Sequence, residues 1–453
     1  MIIRPLVAAA LMLGGQLLAK TVEVEDFAFQ KSAGGISEYV YEPNGLSVLL
    51  MPDHSAPVVT FMVTYRVGSR NEVTGTTGAT HLLEHLMFKG TESYNRAKGN
   101  SVDQFLRRVG SRFNATTWLD RTNYYATLGS EHLETYMAIE ADRMRNLLVR
   151  EEDRRPEMTV VRNEFEIGEN DPTQALDKEI SALSYLAHPY HHSTIGWRSD
   201  IENVSIEKLR EFYNTFYWPD NATVTVIGDF EPANVMGLIA KYYGVYPRAP
   251  EPIPTVYTVE PPQSGERRTI VRRAGEYGVV GMTHKTPEAT HADHAAIKVL
   301  GAILDNGKNS RLYRALIDKN LTTSADVFTG AFHDPSGQFI YANLAPGIEH
   351  QEVEDAILDA LTKLKSDGVS EAEVTAAINQ LTAAAAFGRD GSFAIASRIN
   401  ESIAAGDWTL YVTGDDSLRA VTAADVKRVA NLYLNENQRT VGWFVPLETE
   451  AAE

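Results

Sequence analysis

The stretch Thr80-His81-Leu82-Leu83-Glu84-His85-Leu86-Met87-Phe88-Lys89-Gly90 decides how the rest of the chain is read. At about 100° per residue, His81, Glu84 and His85 fall at roughly 0°, 300° and 40° around a helix, and Leu82, Leu83, Leu86 and Met87 cover the opposite side. The apolar side anchors the helix in a core and leaves two imidazoles and a carboxylate together. Imidazoles four residues apart can aim ring nitrogens at one cation, and Zn2+ accepts nitrogen and carboxylate ligands in a tetrahedral site. Glu84, one residue before the second histidine, stands where a general base takes a proton from water activated by that metal. The alternative is an amphipathic helix whose polar side only meets solvent, so a third ligand is needed. Gly90 after Lys89 reads as the helix C-terminus, since glycine takes the left-handed cap conformation and lysine complements the negative end of the dipole.

The helix expected to carry the third ligand begins at Pro156 and ends near Gly168 or before Asn170-Asp171-Pro172. Within it Glu157 and Glu164 lie seven apart, about two turns, and share a face, whereas Glu166 points about 200° away from Glu164. One of the pair could bind metal while the other supports it, and spacing does not choose between them. The other histidines read as non-ligands. The neighbours in His188-Pro189-Tyr190-His191-His192 cannot both reach one ion from an extended chain, and His291 and His294 read as solvent-facing or capping.

Strand patterns at residues 39–52 and 58–67 precede the motif helix. Helical patterns at 100–109 and 130–149 follow, with a strand at 122–128 between them and Asn114-Ala115-Thr116-Thr117 reading as a short strand or a loop. The chain then repeats itself: a helix, an aromatic and asparagine-bearing turn and a strand occur at 205–229 and again at 421–446, and a strand at 273–284 with a helix at 293–304 restates the opening without the motif. Between the halves, Pro247, Pro250, Pro252, Pro254, Pro261 and Pro262 make a stiff extended linker. The expected organisation is a metal-binding domain at 34–246, a linker at 247–268 and a related domain without metal at 269–449.

With 453 residues the chain exceeds a single core, and 43% hydrophobic with 23% charged residues is a globular composition. A net charge of −18 argues against nucleic acid and against an anionic membrane surface. Residues 1–19 read as a secretory signal peptide, with Arg4 in the charged region, an apolar run through Leu18 and a small residue, Ala19, at the cut. The run is too short to span a bilayer, so no stable membrane anchor is expected. There is no cysteine, so the fold must hold in an oxidising compartment without disulfides, which fits periplasm or secretion.

Together, His81-Leu82-Leu83-Glu84-His85 with Phe88-Lys89-Gly90-Thr91, the Glu157 and Glu164 pair, Asn114-Ala115, Tyr217-Trp218-Pro219-Asp220-Asn221-Ala222 and Ser310-Arg311-Leu312-Tyr313 resemble the pitrilysin-type, or M16, zinc peptidases, whose motif is the inverzincin His-x-x-Glu-His. The resemblance runs from about residue 39 to 446, and its length is that of the two-domain bacterial and mitochondrial processing members. It implies an α+β fold of two homologous domains, each an antiparallel sheet with helices on one face. By resemblance His81, His85 and Glu164 bind one Zn2+, Glu84 is the base and Glu157 the supporting carboxylate. An unfolded peptide would add as a strand at Asn114 and Ala115. Long-chain relatives supply an Arg and a Tyr to the peptide and oxyanion from the second half. Here Ile317 stands for the Arg and Thr323 or Ser324 for the Tyr, so a related M16 subunit forming a heterodimer is expected to complete the site, with a homodimer as the fallback. The competing readings are a non-catalytic scaffold subunit of the same fold and a metal hydrolase acting on something other than peptides.

Overall fold

Alternating residues build two sheets that share a plan. In the computed structural model, which describes residues 22–447, β1 (Phe27–Ala33), β2 (Ile36–Tyr41), β3 (Leu46–Pro52), β4 (Val58–Tyr65), β5 (Arg112–Thr117), β6 (Thr122–Gly129) and β7 (Ala222–Gly228) pair in the order β1-β2-β3-β7-β4-β6-β5. β8 (Arg267–Ala274), β9 (Val279–Thr286), β10 (Thr322–Thr329), β11 (Ser336–Leu344) and β12 (Arg439–Leu447) pair in the order β10-β11-β9-β12-β8. Neighbours run antiparallel except β3 with β7 and β8 with β12, which are parallel. The expected signal peptide at 1–19 and the end of the expected second domain, 448–449, lie outside the described residues. No helix among the described residues is long and apolar enough to cross a membrane.

The fold is the α+β pair of related sheets that the resemblance implies, with one addition. On β4, Val59, Phe61, Val63 and Tyr65 face the helices of the first half, as a period of two requires, and Met62 faces away. That second face is roofed by the helix Ser392–Ala404 of the other half, whose Ala396, Ile399 and Ile403 pack on Leu49, Met62 and Ile227. The exchange is reciprocal: the helix Pro172–Ser184 lays Leu176 and Ile180 on Val271, Val279 and Phe444 of the second sheet. Glycines admit it closely, since a Cβ on Gly281 would stand 2.5 Å from Ile180 Cδ1 and one on Gly442 2.8 Å from Leu176 Cδ1. Each half therefore holds the other.

Several boundaries move. The strand expected at 273–284 is two strands, β8 and β9, broken between Gly275 and Gly278. β1 starts at Phe27, ahead of the expected boundary at 34, while residues 247–266 carry no helix or strand. The acidic helix spans Glu151–Asn170, so Pro156 lies inside it. Glu151, Glu152 and Asp153 fill its first turn, where negative charge meets the positive end of the dipole and favours an earlier start. The motif helix, Ala79–Leu86, stops before Gly90, which has φ +102° in a bridge to Asn95 where a Cβ would stand 2.3 Å from Tyr94 O.

Candidate metal centre

Leu82, Leu83 and Leu86 are fully buried in the first core and fix the motif helix, leaving His81, Glu84 and His85 on the side that meets the acidic helix. That second helix anchors through Val161 and Phe165, which share a face with Glu157 and Glu164 at helical spacing. The N-terminus of the motif helix has no side-chain cap of its own, because Gly78 at φ +83° precedes it. The fully buried carboxylate of Glu72 takes that place: it accepts from the backbone N–H of Gly78 at 2.8 Å and of Thr80 at 2.7 Å. A Cβ on Gly78 would stand 2.4 Å from Ile195 O, so this approach needs glycine.

Three donors converge at the helix crossing. Glu164 Oε2 lies 3.6 Å from His81 Nε2 and 3.8 Å from His85 Nε2, and the ligand atoms of all three residues lie within 4.8 Å of one another. Among the described residues no other group of three does this. Glu157 does something different. As an ionised carboxylate it only accepts, so His85 Nδ1–H donates to its Oε2 at 3.0 Å and the lone pair of Nε2 points to the Glu164 side. Lys89 holds the other oxygen of Glu157. The hydrogen bond from His85 and the charge of Lys89 keep the Glu157 pKa below its ordinary value against the cost of burial.

The donor set fits a divalent cation. Burial, helped by the neighbouring His85, pushes His81 down to about 4, which keeps its imidazole neutral and able to ligate. Burial disfavours charge on His85 too, but the bond to Glu157 and the carboxylates of Glu164 and Glu84 outweigh it and raise the pKa. So many acids around one imidazole make a place that favours positive charge. Glu84 is 7% exposed and accepts from Thr117 Oγ1 at 2.6 Å; burial raises its pKa, against the Thr117 bond and the charges of His85 and Arg121. A raised carboxylate is the better proton acceptor at neutral pH.

Thr117 ends β5, the edge strand of the first sheet, so Asn114 and Ala115 sit on an edge that leads to Glu84. Ala115 is buried toward the motif helix and Asn114 is exposed, and both line a cavity shared with His81, Glu84, His85, Glu157 and Glu164. Glu166 points elsewhere, to Arg162 and Arg198 at 3.9 and 3.6 Å. His188 pairs with Asp334 at 2.9 Å, and His294 is buried, not solvent-facing, because its helix packs into the second core.

A motif helix with converging donors can arise on unrelated folds, and the relatives of this chain decide between them. The family model described as Insulinase (Peptidase family M16) matches residues 47–197, which hold the motif and Glu164, and the model described as Peptidase M16 inactive domain matches 203–381, which has no such motif. The zinc protease PqqE of Helicobacter pylori is 30% identical over 414 residues, spanning 90% of this chain and 93% of that relative. The chain belongs to peptidase family M16. A probable mitochondrial-processing peptidase subunit beta of Arabidopsis thaliana is 24% identical over 90% of this chain and 78% of its own length. A crystal structure of a protease from Helicobacter pylori superposes with a TM-score of 0.87 at 29% identity, covering 92% of this chain and 100% of that one. The first half of the periplasmic protease PqqL from Escherichia coli shares the fold, with a TM-score of 0.72 at 18% identity over 95% of this chain and 94% of that one.

Three contacts around the candidate site escape the sequence reading: the Glu72 cap, the Thr117 bond to Glu84 and the pairing of Lys89 with Glu157. Only Lys89 carries a signal in the sequence, its place after the motif, which suits a partner of the helix dipole equally well. Glu72 supports the helix that carries two of the candidate ligands, His81 and His85. Glu72→Gln keeps the shape but offers one accepting oxygen where two N–H groups need acceptors, so it should destabilise the fold by about 1–3 kcal/mol. Denaturant unfolding measures this, and an unchanged midpoint would show that the cap is dispensable.

Proposed function

We propose that this chain is a zinc-dependent endopeptidase, exported to the periplasm or secreted, that hydrolyses unfolded peptides added as a strand along β5. The observation that carries this is the buried Glu84 carboxylate beside the His81, His85 and Glu164 donors, all opening on the edge strand. The relatives named zinc proteases favour zinc, and the neighbour titled a periplasmic protease, with the leader pattern at 1–19, supports export. Zn2+ held by His81, His85 and Glu164 supplies a Lewis acid that polarises the peptide carbonyl and acidifies water. The chain's residues do the rest. Glu84 takes the proton from the attacking water and can hand it to the leaving amine. Thr117 keeps that carboxylate aimed, and Glu157 with Lys89 fixes the tautomer and orientation of His85. β5 offers main-chain groups that hold a peptide whatever its side chains.

We further propose that a related M16 subunit completes the site. Ile317, where the Arg is expected, packs against the second core. Arg311 is engaged with Glu373 and the carbonyl of Gly368, and Arg314 donates to Asn309. Thr323 and Ser324 open β10, an edge strand. Losing one donor aimed at a developing oxyanion typically costs about 10²–10³ in turnover, so the isolated chain should cleave an unstructured peptide slowly and a partner M16 chain bearing the Arg and Tyr should raise the rate by that factor. Chelation should abolish cleavage and zinc restore it. A zinc-loaded chain that cleaves nothing with or without the partner would refute the peptidase reading, and full activity alone, unchanged by the partner, would refute the heterodimer.

A further inference from the structure

Three parts of the molecule meet at the turn 118–121 between β5 and β6. The turn closes with Trp118 N–H donating to Arg121 O at 2.9 Å, and it directly follows Thr117, whose hydroxyl holds the Glu84 carboxylate. Its carbonyls face the entry to the motif helix: Ser69 N–H donates to Trp118 O at 3.2 Å and Arg70 N–H to Leu119 O at 2.9 Å. The approach is so close that a Cβ on Gly68 would stand 2.3 Å from both oxygens. Two residues after Arg70 stands Glu72, the cap of that helix. The third part is the second half of the chain. Asp120, 7% exposed, accepts from His333 N–H at 3.0 Å, in the connection between β10 and β11, and from the Tyr190 hydroxyl at 2.6 Å. That hydroxyl accepts in turn from Asp334 N–H at 3.2 Å, and the Asp334 carboxylate takes Arg70 and His188. The next residue is bound from another direction. Arg121, 8% exposed, donates to Thr116 O at 3.1 Å and to Asn123 Oδ1 at 3.0 Å, and its charge is paired with Glu401 of the roofing helix Ser392–Ala404.

These bonds have a mechanical consequence. β5 is an edge strand that pairs only with β6, so one of its sides has no neighbouring strand to fix it, and the place of Thr117 depends on the turn that follows. The three metal donors all lie in the first half, yet both side chains that anchor the turn reach into the second. We propose that Asp120 and Arg121 are positioning residues through which the second half sets the general base: the grip of His333 and Glu401 on the turn keeps the Thr117 hydroxyl on Glu84, so a half that brings no donor to the metal still determines turnover. This rests on the peptidase reading above and adds the residues that aim its base.

Glu401 is the point to cut. Its side chain is 50% exposed on a helix, so Glu401→Ala should leave the fold intact while it strips the buried Arg121 of its carboxylate. A buried charge without its partner is costly, and turning to water relieves it at the expense of the bonds to Thr116 and Asn123. In zinc-loaded full-length protein this is expected to lower kcat on an unstructured peptide by about 10-fold with KM and zinc content unchanged, because a misplaced base costs turnover and not ground-state binding. Thr117→Val should lower kcat in the same way, and the double variant should lose no more than Thr117→Val alone, since both changes remove one bond. Asp120→Ala, which severs the other anchor, is expected to match Glu401→Ala, and if it fails to fold Glu401→Ala carries the test. A crystal structure of the Glu401→Ala protein gives a readout that needs no turnover: Thr117 Oγ1 should have left hydrogen-bonding distance of Glu84. An unchanged kcat, losses that multiply in the double variant, or a Thr117 bond still at its 2.6 Å overturns the proposal. If wild-type protein cleaves no peptide, the peptidase reading fails and that distance alone decides the positioning.

Discussion

Zinc-loaded protein carrying Glu84→Gln is expected to keep its metal and its fold and to lose at least ~10²-fold in peptide hydrolysis, the low end for removal of a general base. The substitution is close to isosteric, and the glutamine oxygen can still accept the Thr117 hydroxyl that reaches Glu84 at 2.6 Å. What disappears is the ability to take a proton. Burial makes the comparison clean, because Glu84 is 7% exposed and no neighbouring carboxylate can take its position: Glu157 is committed to His85 and Lys89, and Glu164 to the donor cluster. The assay follows cleavage of an unstructured peptide by variant and wild type at matched zinc content. Turnover within a few fold of wild type would remove Glu84 from the chemistry.

His85→Ala is expected to have the larger effect on the metal. It deletes one of three donors and leaves the Glu157 carboxylate, with its Lys89, facing an empty space. Metal analysis of the purified variant should find most of the zinc gone, and hydrolysis should vanish with it. Glu164→Gln should weaken binding in the same direction, since a neutral amide replaces a carboxylate 3.6 and 3.8 Å from the two Nε2 atoms. Glu166→Gln, whose partners are Arg162 and Arg198, should leave zinc unchanged. Stoichiometric zinc in His85→Ala, or equal losses in the two glutamine variants, would mean that the ligand set is wrong.

The half of the centre that lies on one helix was readable because its geometry is local. His81, Glu84 and His85 are separated by less than one and a half turns, and nothing distant can change the face they share. Glu157 and Glu164 were readable only as a pair, because the same seven-residue spacing serves either role; the register of the acidic helix against the motif helix decides, and that register is set by Val161 and Phe165 in a core built from both ends of the first half. The two sheets and their duplication were likewise legible from alternating strands and repeated helix-turn-strand units. The exchange of helices was not. The apolar face of the helix Pro172–Ser184 says that it packs, but not that its partner is a sheet beginning more than 80 residues later. Glu72 is the extreme case: a lone acid among polar residues becomes a buried cap only when the turn at Gly78 folds back on it.

The most direct measurement of the central claim is anomalous diffraction at the zinc absorption edge from crystals of the zinc-loaded protein. One peak is predicted, about 2.0–2.2 Å from Nε2 of His81, Nε2 of His85 and a carboxylate oxygen of Glu164, with Glu84 and Glu157 outside bonding distance. No peak at that position, or a peak held by Glu157 or by the histidines at 188–192 instead, would contradict it.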